Sequence, residues 1–364
     1  MTRPTTITID TQALIHNIAC VKRYAPDQLI IAMVKANAYG CGVAVVAPIL
    51  EPFVAYFGVA CLEEARLLRQ FCPDKPCILL QGLSTPDELS EALALDLRPV
   101  IHDKQQLEWI TTKPLARSIK VWVKVDTGMH RLGFTPEIIP VVTQTLIDCP
   151  WIDNDMGLMT HLACAEEMDH PLTARQLAVW QQVVQSVGEH YASQSVANSA
   201  SIIGLPHAHA RWVRPGIMLY GASPFPGQTG VALGLRPVMH FESALMSIHQ
   251  YEEGECIGYG ATWCCPRPSI IGVVPVGYGD GYPRHITANT PIWINGCNVP
   301  IVGRISMDMM TIDITDCPDV RIGDRVELWG THIPIEVVAN HANTIAYELL
   351  CQVTQRVIRH SKLR

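Results

Sequence analysis

Lys35 directly follows an apolar run, 29–34 (LIIAMV), and precedes a turn that contains Gly40 and Gly42. An ammonium group at the end of a buried strand is costly, because burial removes its hydration. The same loss of hydration lowers the pKa of a lysine and makes its amine a usable nucleophile or base. Schiff-base chemistry requires such an amine. The position of Lys35 therefore predicts a lysine that forms an imine with a carbonyl compound.

Further polar residues follow other predicted strands in the first two thirds of the chain. They include cations, a histidine and small turn residues: Lys124, Asp126, Arg131, His161, Asn198 and Ser199. Arg214 instead precedes the last predicted strand, at a turn that contains Gly216. In a barrel of alternating strands and helices, reactive groups gather at the carboxyl ends of the strands. An imine-forming amine, several cations and small turns suit an anionic carbonyl cofactor that carries a phosphate. They suggest pyridoxal 5'-phosphate.

The elements that position these residues alternate between short apolar strands and helical segments. Strands are predicted at 29–34, 56–60, 77–80, 98–101, 120–125, 156–160, 194–197 and 216–220. Plausible helices lie between most of them, for example at 61–71, where apolar residues recur at helical spacing. Eight strands with intervening helices favour an α/β fold with a (β/α)8 barrel of the TIM type. A doubly wound open sheet would give the same alternation.

The pattern changes after a linker-like stretch at 223–237 (SPFPGQTGVALGLRP). Short β-type runs follow at 240–250, 270–276, 291–294, 299–302, 309–314 and 325–329, separated by turns rich in Gly, Pro and Asn. A last helix is predicted at 342–353. We therefore expect a (β/α)8 barrel over residues 1–232 and a mostly β domain over residues 233–364.

The composition argues against several classes of partner. The 364 residues carry a formal net charge of −7 and contain no run of Lys or Arg, so neither nucleic acid nor an anionic membrane is expected as a partner. No apolar signal segment opens the chain, and no apolar stretch approaches the roughly 20 residues that span a bilayer. The 13 cysteines include no C-x-x-C pair. We therefore expect free thiols in a reducing cytoplasm, without a disulfide framework or a metal site.

Residues 34–40 (VKANAYG) resemble the signature that carries the cofactor lysine of the alanine racemase family. Seven further segments resemble that family and occur in its order: 124–133 (KVDTGMHRLG), 198–200 (NSA), 214–221 (RPGIMLYG), 258–263 (GYGATW), 279–284 (GDGYPR), 303–308 (GRISMD) and 347–351 (YELLC). The resemblance covers both predicted domains. It implies a cytoplasmic isomerase that interconverts L-alanine and D-alanine on pyridoxal phosphate and supplies D-alanine for peptidoglycan.

The resemblance implies two bases on opposite faces of the substrate. Lys35 would hold the cofactor as a Schiff base and would then handle the proton of D-alanine, whereas Tyr259 would handle the proton of L-alanine. A phenol is a poor base at neutral pH unless positive charges lie near it. In the family this tyrosine comes from the partner subunit, so an obligate homodimer with shared active sites is implied.

The resemblance also assigns residues to the cofactor ring and to the substrate. Arg214 would face the pyridine nitrogen, and His161 would pack against the ring and contact Arg214. Arg131 would reach the phenolic oxygen of the cofactor and the substrate carboxylate. Lys124 occupies a position that is often carbamylated in the family; the alternative is an ordinary lysine in an ion pair.

The phosphate would be bound by the side chains of Tyr39, Ser199 and Tyr347 and by the backbone amides of Gly216 and Ile217. Glycine at position 216 permits the close approach that a phosphate needs. Met307 would donate its backbone N–H to the substrate carboxylate, and Tyr282 would narrow the entrance.

Three alternatives remain open within this interpretation. A racemase for serine, or one of broad specificity, would use the same scaffold. A fold-related decarboxylase of basic amino acids is less favoured, because Tyr259 and Arg214 favour racemisation. A non-catalytic pyridoxal-phosphate-binding protein would resemble the barrel alone and would not need the second domain.

Overall fold

The computed structural model describes residues 3–362. A first strand, β1 (Thr6–Asp10), precedes a closed barrel of eight parallel strands. The barrel strands are β2 (Leu29–Met33), β3 (Tyr56–Val59), β4 (Cys77–Leu79), β5 (Leu97–Ile101), β6 (Trp122–Lys124), β7 (Gly157–Met159), β8 (Ser193–Ser195) and β9 (Trp212–Val213). Pairing of Leu29 with Trp212 closes the ring between β2 and β9. The predicted (β/α)8 barrel is confirmed.

The barrel strands are buried on both faces, which explains why their sequences are continuous apolar runs. All residues of β3, β4 and β7 are buried. Small residues make room for large ones inside the barrel. A Cβ at Gly157 would lie only 2.2 Å from the indole of Trp122, so glycine is needed for this packing.

Helices follow most of the barrel strands and cover their outer faces. They are α1 (Thr11–Tyr24), α2 (Lys35–Tyr39), α3 (Val43–Leu50), α4 (Leu62–Arg69), α5 (Glu88–Ala94), α6 (Lys104–Thr112), α7 (Ile139–Ile147), α8 (Pro171–Val187) and α9 (Ser199–Gly204). The start of α6 is fixed by its N-cap, because the carboxylate of Asp103 accepts a hydrogen bond from the backbone N–H of Gln106 at 2.9 Å.

The eighth barrel strand lies earlier in the chain than predicted. The prediction of a strand at 216–220 is wrong, because β9 ends at Val213 and Ile217–Tyr220 forms a 3-10 helical turn. All four residues of this turn are buried, and it packs against α1. A short apolar run buried on every side does not distinguish a strand from a helical turn. Pro215, which has no N–H to donate, prevents the strand from continuing.

The second domain is built on one mixed sheet. Its strands are β10 (Met239–Ala244), β11 (Ser247–Tyr251), β14 (Ser269–Val274), β15 (Pro291–Ile294), β16 (Cys297–Val302), β17 (Met310–Asp313), β18 (Arg325–Trp329) and β19 (Ile358–Lys362), together with β1. Their order is β11-β14-β17-β16-β15-β18-β10-β1-β19. A separate hairpin contains β12 (Cys256–Ile257) and β13 (Trp263–Cys264). The predicted mostly β domain is confirmed.

The N-terminal strand departs from the predicted division of the chain. β1 pairs antiparallel with β10 and parallel with β19, so that Ile7 lies opposite both Phe241 and Arg359. Residues 6–10 therefore belong to the sheet of the second domain, and their assignment to the barrel is wrong. Such pairing depends on strands far away in the chain, so it leaves no local signal.

Two helices replace the single one predicted at 342–353. They are α10 (Ile335–His341) and α11 (Ala346–Gln352), and they are separated by a turn at Asn343, which has a φ of 49°. None of the helices within residues 3–362 combines the length and the apolar character that crossing a membrane requires.

Candidate active site

A cavity of about 480 Å³ opens at the carboxyl ends of the barrel strands. Eleven of the predicted residues line it: Lys35, Tyr39, Lys124, Arg131, His161, Asn198, Ser199, Arg214, Gly216, Ile217 and Tyr347. All except Tyr347 lie at strand ends or in the segments that follow them, and Tyr347 is supplied by α11. The cavity also includes Thr160, Gln81 and Cys351, which the sequence analysis did not assign. Its volume suits a small ligand.

Lys35 begins a turn with an unusual backbone. Residues 36–39 all have φ between 52° and 54°, in the left-handed region. Residues with a Cβ disfavour this region by roughly 1–2 kcal/mol each, so the surroundings must stabilise the turn. The carboxylate of Glu64 accepts hydrogen bonds from the backbone N–H groups of Ala36 and Ala60, each at 2.7 Å. Glu64 therefore fixes the position of Lys35, a role that the sequence analysis missed.

The cavity is strongly cationic. Lys35, Lys124, Arg131 and Arg214 line it, and no Asp or Glu of residues 3–362 does. Burial, followed by the charge of Arg131, lowers the pKa of Lys35. Burial, followed by the charge of Arg214, lowers the pKa of Lys124 to about 8. An anionic ligand would relieve this concentration of positive charge.

Arg214 is buried without a carboxylate partner among the described residues. Its guanidinium donates hydrogen bonds to the hydroxyl of Ser195 at 2.5 Å and to the carbonyl oxygens of Thr160 at 2.6 Å and Val196 at 3.1 Å. It also lies 3.3 Å from Nδ1 of His161, the predicted contact. Burial lowers the pKa of Arg214 to about 10. Burial, with the charge of Arg214, holds the pKa of His161 well below its usual value, so this imidazole is neutral.

Hydroxyl groups and a tight turn converge at the end of the cavity near Gly216. The Ser199 hydroxyl accepts a hydrogen bond from the backbone N–H of Gly216 at 2.9 Å. A Cβ at position 216 would lie 2.4 Å from the Tyr39 hydroxyl, so glycine is needed there. Tyr39 stacks on Tyr220, with ring centres 4.5 Å apart, and Tyr347 lies beside it at 6.1 Å. Burial raises the pKa of Tyr39 and of Tyr347, so both phenols stay protonated and can donate hydrogen bonds to a phosphate.

Tyr259 and Met307 lie outside this cavity. Their side chains are 67% and 53% exposed. The two residues lie on adjoining loops of the second domain. Gly260, next to Tyr259, approaches Arg304, which lies three residues before Met307: a Cβ at Gly260 would lie 3.0 Å from the Arg304 guanidinium. Neither residue lines the cavity of its own chain. Their predicted roles therefore require a second copy of the chain and stay predictions.

A disulfide joins Cys256 and Cys264 at the base of the loop that carries Tyr259. The two cysteines lie directly opposite each other on β12 and β13. The prediction that the chain contains only free thiols is wrong for this pair, while the other eleven cysteines are free. The pairing results from the hairpin register, which irregular cysteine spacing does not reveal.

Tyr282 does not lie at an entrance. It is 1% exposed and stacks on Trp329 with ring centres 5.9 Å apart. A side chain enclosed in the core cannot narrow an entrance, so this prediction is wrong. Tyr278, in the same glycine-rich turn, is 39% exposed. The sequence of this turn does not indicate which of its two tyrosines is buried.

The residues of the cavity fit pyridoxal phosphate. The Lys35 amine has a lowered pKa, as imine formation with a carbonyl requires. Phenol hydroxyls and a tight glycine turn lie together at one end, where a phosphate would be bound. A buried arginine, Arg214, lies on the cavity wall where the cofactor ring would lie, and it has no carboxylate partner among residues 3–362. The fold and the site together define a barrel enzyme of the pyridoxal-phosphate class.

Comparison with known proteins identifies the family. Models of the alanine racemase N-terminal and C-terminal domains match residues 9–224 and 238–361. An alanine racemase of Legionella pneumophila (strain Corby) is 53% identical over 357 residues, which are 98% of this chain and 99% of the relative. The chain therefore belongs to the alanine racemase family.

Solved structures agree with this assignment. The biosynthetic alanine racemase from Pseudomonas aeruginosa superposes with a TM-score of 0.95 at 41% identity, over 99% of this chain and 100% of that one. The alanine racemase from Bartonella henselae, which has covalently bound pyridoxal phosphate, gives a TM-score of 0.87 at 29% identity, with 99% of each chain covered. The predicted family and fold class are confirmed, and with them the class of reaction, racemisation of alanine with pyridoxal phosphate.

Proposed function

We propose that this chain interconverts L-alanine and D-alanine with pyridoxal phosphate held on Lys35, and that it supplies D-alanine for peptidoglycan. The cationic cavity is the observation that carries this proposal. It contains a lysine amine of lowered pKa, and no carboxylate of residues 3–362 lines it. The phosphate of the cofactor and the carboxylate of the amino acid supply the missing negative charge.

Two bases on opposite faces of the substrate invert its centre. Pyridoxal phosphate, when bound, withdraws electrons from the substrate Cα and makes the α-proton acidic. Lys35 takes or returns this proton on the face that belongs to D-alanine. Tyr259 of the partner subunit takes or returns it on the face that belongs to L-alanine. Because each base serves one face, neither racemises alanine alone.

Arg214 faces the pyridine nitrogen. Its guanidinium is already oriented by hydrogen bonds to Ser195, Thr160 and Val196. An arginine does not readily give up a proton, so Arg214 would donate a hydrogen bond to the ring nitrogen of the bound cofactor and leave that nitrogen unprotonated. Electron withdrawal is then weaker than beside a carboxylate, and side reactions that need stronger withdrawal are suppressed. The neutral His161 packs against the ring.

The remaining cavity residues bind the anionic groups. Tyr39, Ser199, Tyr347 and the backbone N–H groups of Gly216 and Ile217 bind the phosphate. Arg131 binds the phenolic oxygen of the cofactor and the substrate carboxylate. Met307 of the partner subunit donates its backbone N–H to the same carboxylate.

Lys124 carries a carbamate that pairs with Arg131. Two observations support this assignment. The pKa of about 8 leaves a minor fraction of the Lys124 amine neutral near physiological pH, more than an ordinary lysine has, and the neutral amine is the form that adds carbon dioxide. Within residues 3–362 its amine forms no ion pair with a carboxylate, since Asp126 binds His130 instead at 3.1 Å. A carbamate would supply the anion that fixes Arg131.

We expect a carbamate signal in the carbon NMR spectrum when the protein is equilibrated with carbon-13 bicarbonate, and no such signal from Lys124→Ala. Removing carbon dioxide should raise KM for alanine about tenfold, the effect of losing one charge-assisted hydrogen bond. Bicarbonate should restore KM in the unaltered protein but not in Lys124→Ala. Acidification well below pH 8 should remove the signal, because it protonates the amine. Equal spectra for both proteins would contradict the carbamate.

The active form is a cytoplasmic homodimer in which each cavity is completed by the other subunit. The exposure of Tyr259 and Met307, together with their absence from the cavity of their own chain, supports sharing. Eleven of the thirteen cysteines are free, which fits a reducing compartment, whereas the Cys256–Cys264 disulfide is a bond that such a compartment disfavours.

A chiral assay of the purified protein on L-alanine, L-serine and L-lysine tests the proposed function. L-Alanine should reach an equal mixture of enantiomers, and kcat/KM for L-serine should be at least about tenfold lower. Comparable turnover of serine or lysine would indicate a broad-specificity racemase. Release of carbon dioxide from lysine would indicate a decarboxylase, and bound cofactor without any turnover would indicate a binding protein.

A further inference from the structure

Asp280 is a buried carboxylate that the proposed reaction does not use. It lies in the turn after β14 and is 0% exposed. Its oxygens accept hydrogen bonds from the guanidinium groups of Arg3 and Arg356, at 2.7 Å each, and from the backbone N–H of Gly277 at 2.9 Å. Burial raises the pKa of Asp280, but these three donors more than offset burial, and the pKa is lower than usual. The cluster is therefore ionic and rigid.

This cluster holds the segment that carries Met307. Arg356 also donates a hydrogen bond, at 2.7 Å, to the carboxylate of Asp308, the residue that follows Met307. The turn that contains Asp280 binds the same segment through its backbone, because the N–H of Gly279 donates to the carbonyl oxygen of Met307 at 2.8 Å. Met307 is thus held both by its own carbonyl group and through its neighbour.

The same turn is joined to α11, the helix that supplies Tyr347 to the cavity. The backbone N–H of Thr354, just after this helix, donates to the carbonyl oxygen of Asp280 at 3.1 Å. The Thr354 hydroxyl donates to the carbonyl oxygen of Gly279 at 2.9 Å. The exposed Met307 loop therefore has a fixed position relative to the body of its own subunit.

We propose that Asp280 is a positioning residue for the substrate carboxylate in the cavity of the other subunit. It acts through Arg356 and Asp308, which fix the backbone N–H that Met307 presents. The inference rests on the proposed function, in which the Met307 loop enters the partner's cavity. Asp280 touches neither substrate nor cofactor, and the group that it positions binds the substrate carboxylate. Its loss therefore weakens alanine binding more than it slows proton transfer in bound alanine.

Mixed dimers separate this effect from a general loss of structure. In a dimer of one Lys35→Ala subunit and one Tyr259→Phe subunit, purified through two different tags, only one cavity can work. The Tyr259→Phe subunit supplies its barrel, and the Lys35→Ala subunit supplies Tyr259 and Met307. Asp280→Asn is then placed in either subunit, and KM and kcat for alanine are measured at saturating pyridoxal phosphate.

We expect Asp280→Asn to raise KM for alanine in one of the two subunits only. In the Lys35→Ala subunit, Asp280→Asn should raise KM about tenfold and change kcat less. In the Tyr259→Phe subunit, KM should stay within about twofold of the parent dimer. Equal effects from both placements, or no effect from either, overturn the positioning role and leave the proposed function standing. An inactive parent dimer overturns the shared site and this inference with it.

A second variant keeps the proposal testable if Asp280→Asn does not fold, since changing a buried charge can prevent folding. Arg356→Gln leaves Asp280 paired with Arg3, and it should show the same dependence on placement. Arg325→Gln is the matched control. It breaks the ion pair with Glu242, a buried carboxylate on a strand of the second domain that, within residues 3–362, forms no hydrogen bond or ion pair with the Met307 segment. A comparable rise in KM from this control would overturn the proposal.

Discussion

Replacing Lys35 by alanine is expected to abolish racemisation, with kcat below about one ten-thousandth of the unaltered value. One change would remove both the amine proposed to bind the cofactor covalently and the base proposed for one face. The groups around Gly216 remain, so pyridoxal phosphate should still enter the cavity but should be lost on dialysis. Chiral chromatography of alanine, with pyridoxal phosphate in excess, measures the loss of activity.

The covalent role of Lys35 has its own test on the unaltered protein. The protein should be yellow, and borohydride should bleach it and fix the cofactor to the peptide that contains Lys35. Lys104→Ala, which removes an exposed lysine at the start of α6, should change neither activity nor labelling. A colourless protein, or a label that persists in Lys35→Ala, would contradict the assignment.

The barrel could be predicted from the sequence because its strands are short apolar runs separated by helical segments. The runs at 29–34 and 77–80 differ from β2 and β4 by one residue at one end. Prediction from apolar runs failed where a segment is buried on every side and therefore shows no periodicity. The turn Ile217–Tyr220 is as apolar as a strand, although it is helical. It also failed for β1, whose partners β10 and β19 lie more than two hundred residues further along the chain.

Most of the cavity could be predicted for a geometric reason. Residues at the carboxyl ends of parallel barrel strands must converge, so Lys35, His161 and Ser199 could be grouped before any distance was known. Contacts between side chains and distant backbone could not be predicted this way. Glu64 supports the Lys35 turn through two backbone N–H groups, and nothing in its own segment indicates this role. The burial of Tyr282 depends in the same way on tertiary packing.

Replacing Tyr259 by phenylalanine is expected to slow exchange of the α-proton of L-alanine by about 100- to 10,000-fold, and exchange of the α-proton of D-alanine much less. Phenylalanine keeps the ring but lacks the hydroxyl that is proposed to carry the proton on that face. Initial rates of deuterium exchange from each enantiomer, followed by NMR, give the two effects separately. Equal slowing of both enantiomers would contradict the assignment of one base to each face.

The same variant decides whether the base comes from another subunit. Tyr259 is exposed in the loop of a disulfide-closed hairpin, and the cavity of its own chain is lined without it. If two chains complete each other, mixing inactive Lys35→Ala with inactive Tyr259→Phe subunits should restore up to about half of the activity per mixed dimer, because one cavity of two then has both bases. No recovery after confirmed subunit exchange would mean that Tyr259 serves its own chain or serves no cavity, and Lys35 would need a different opposing base.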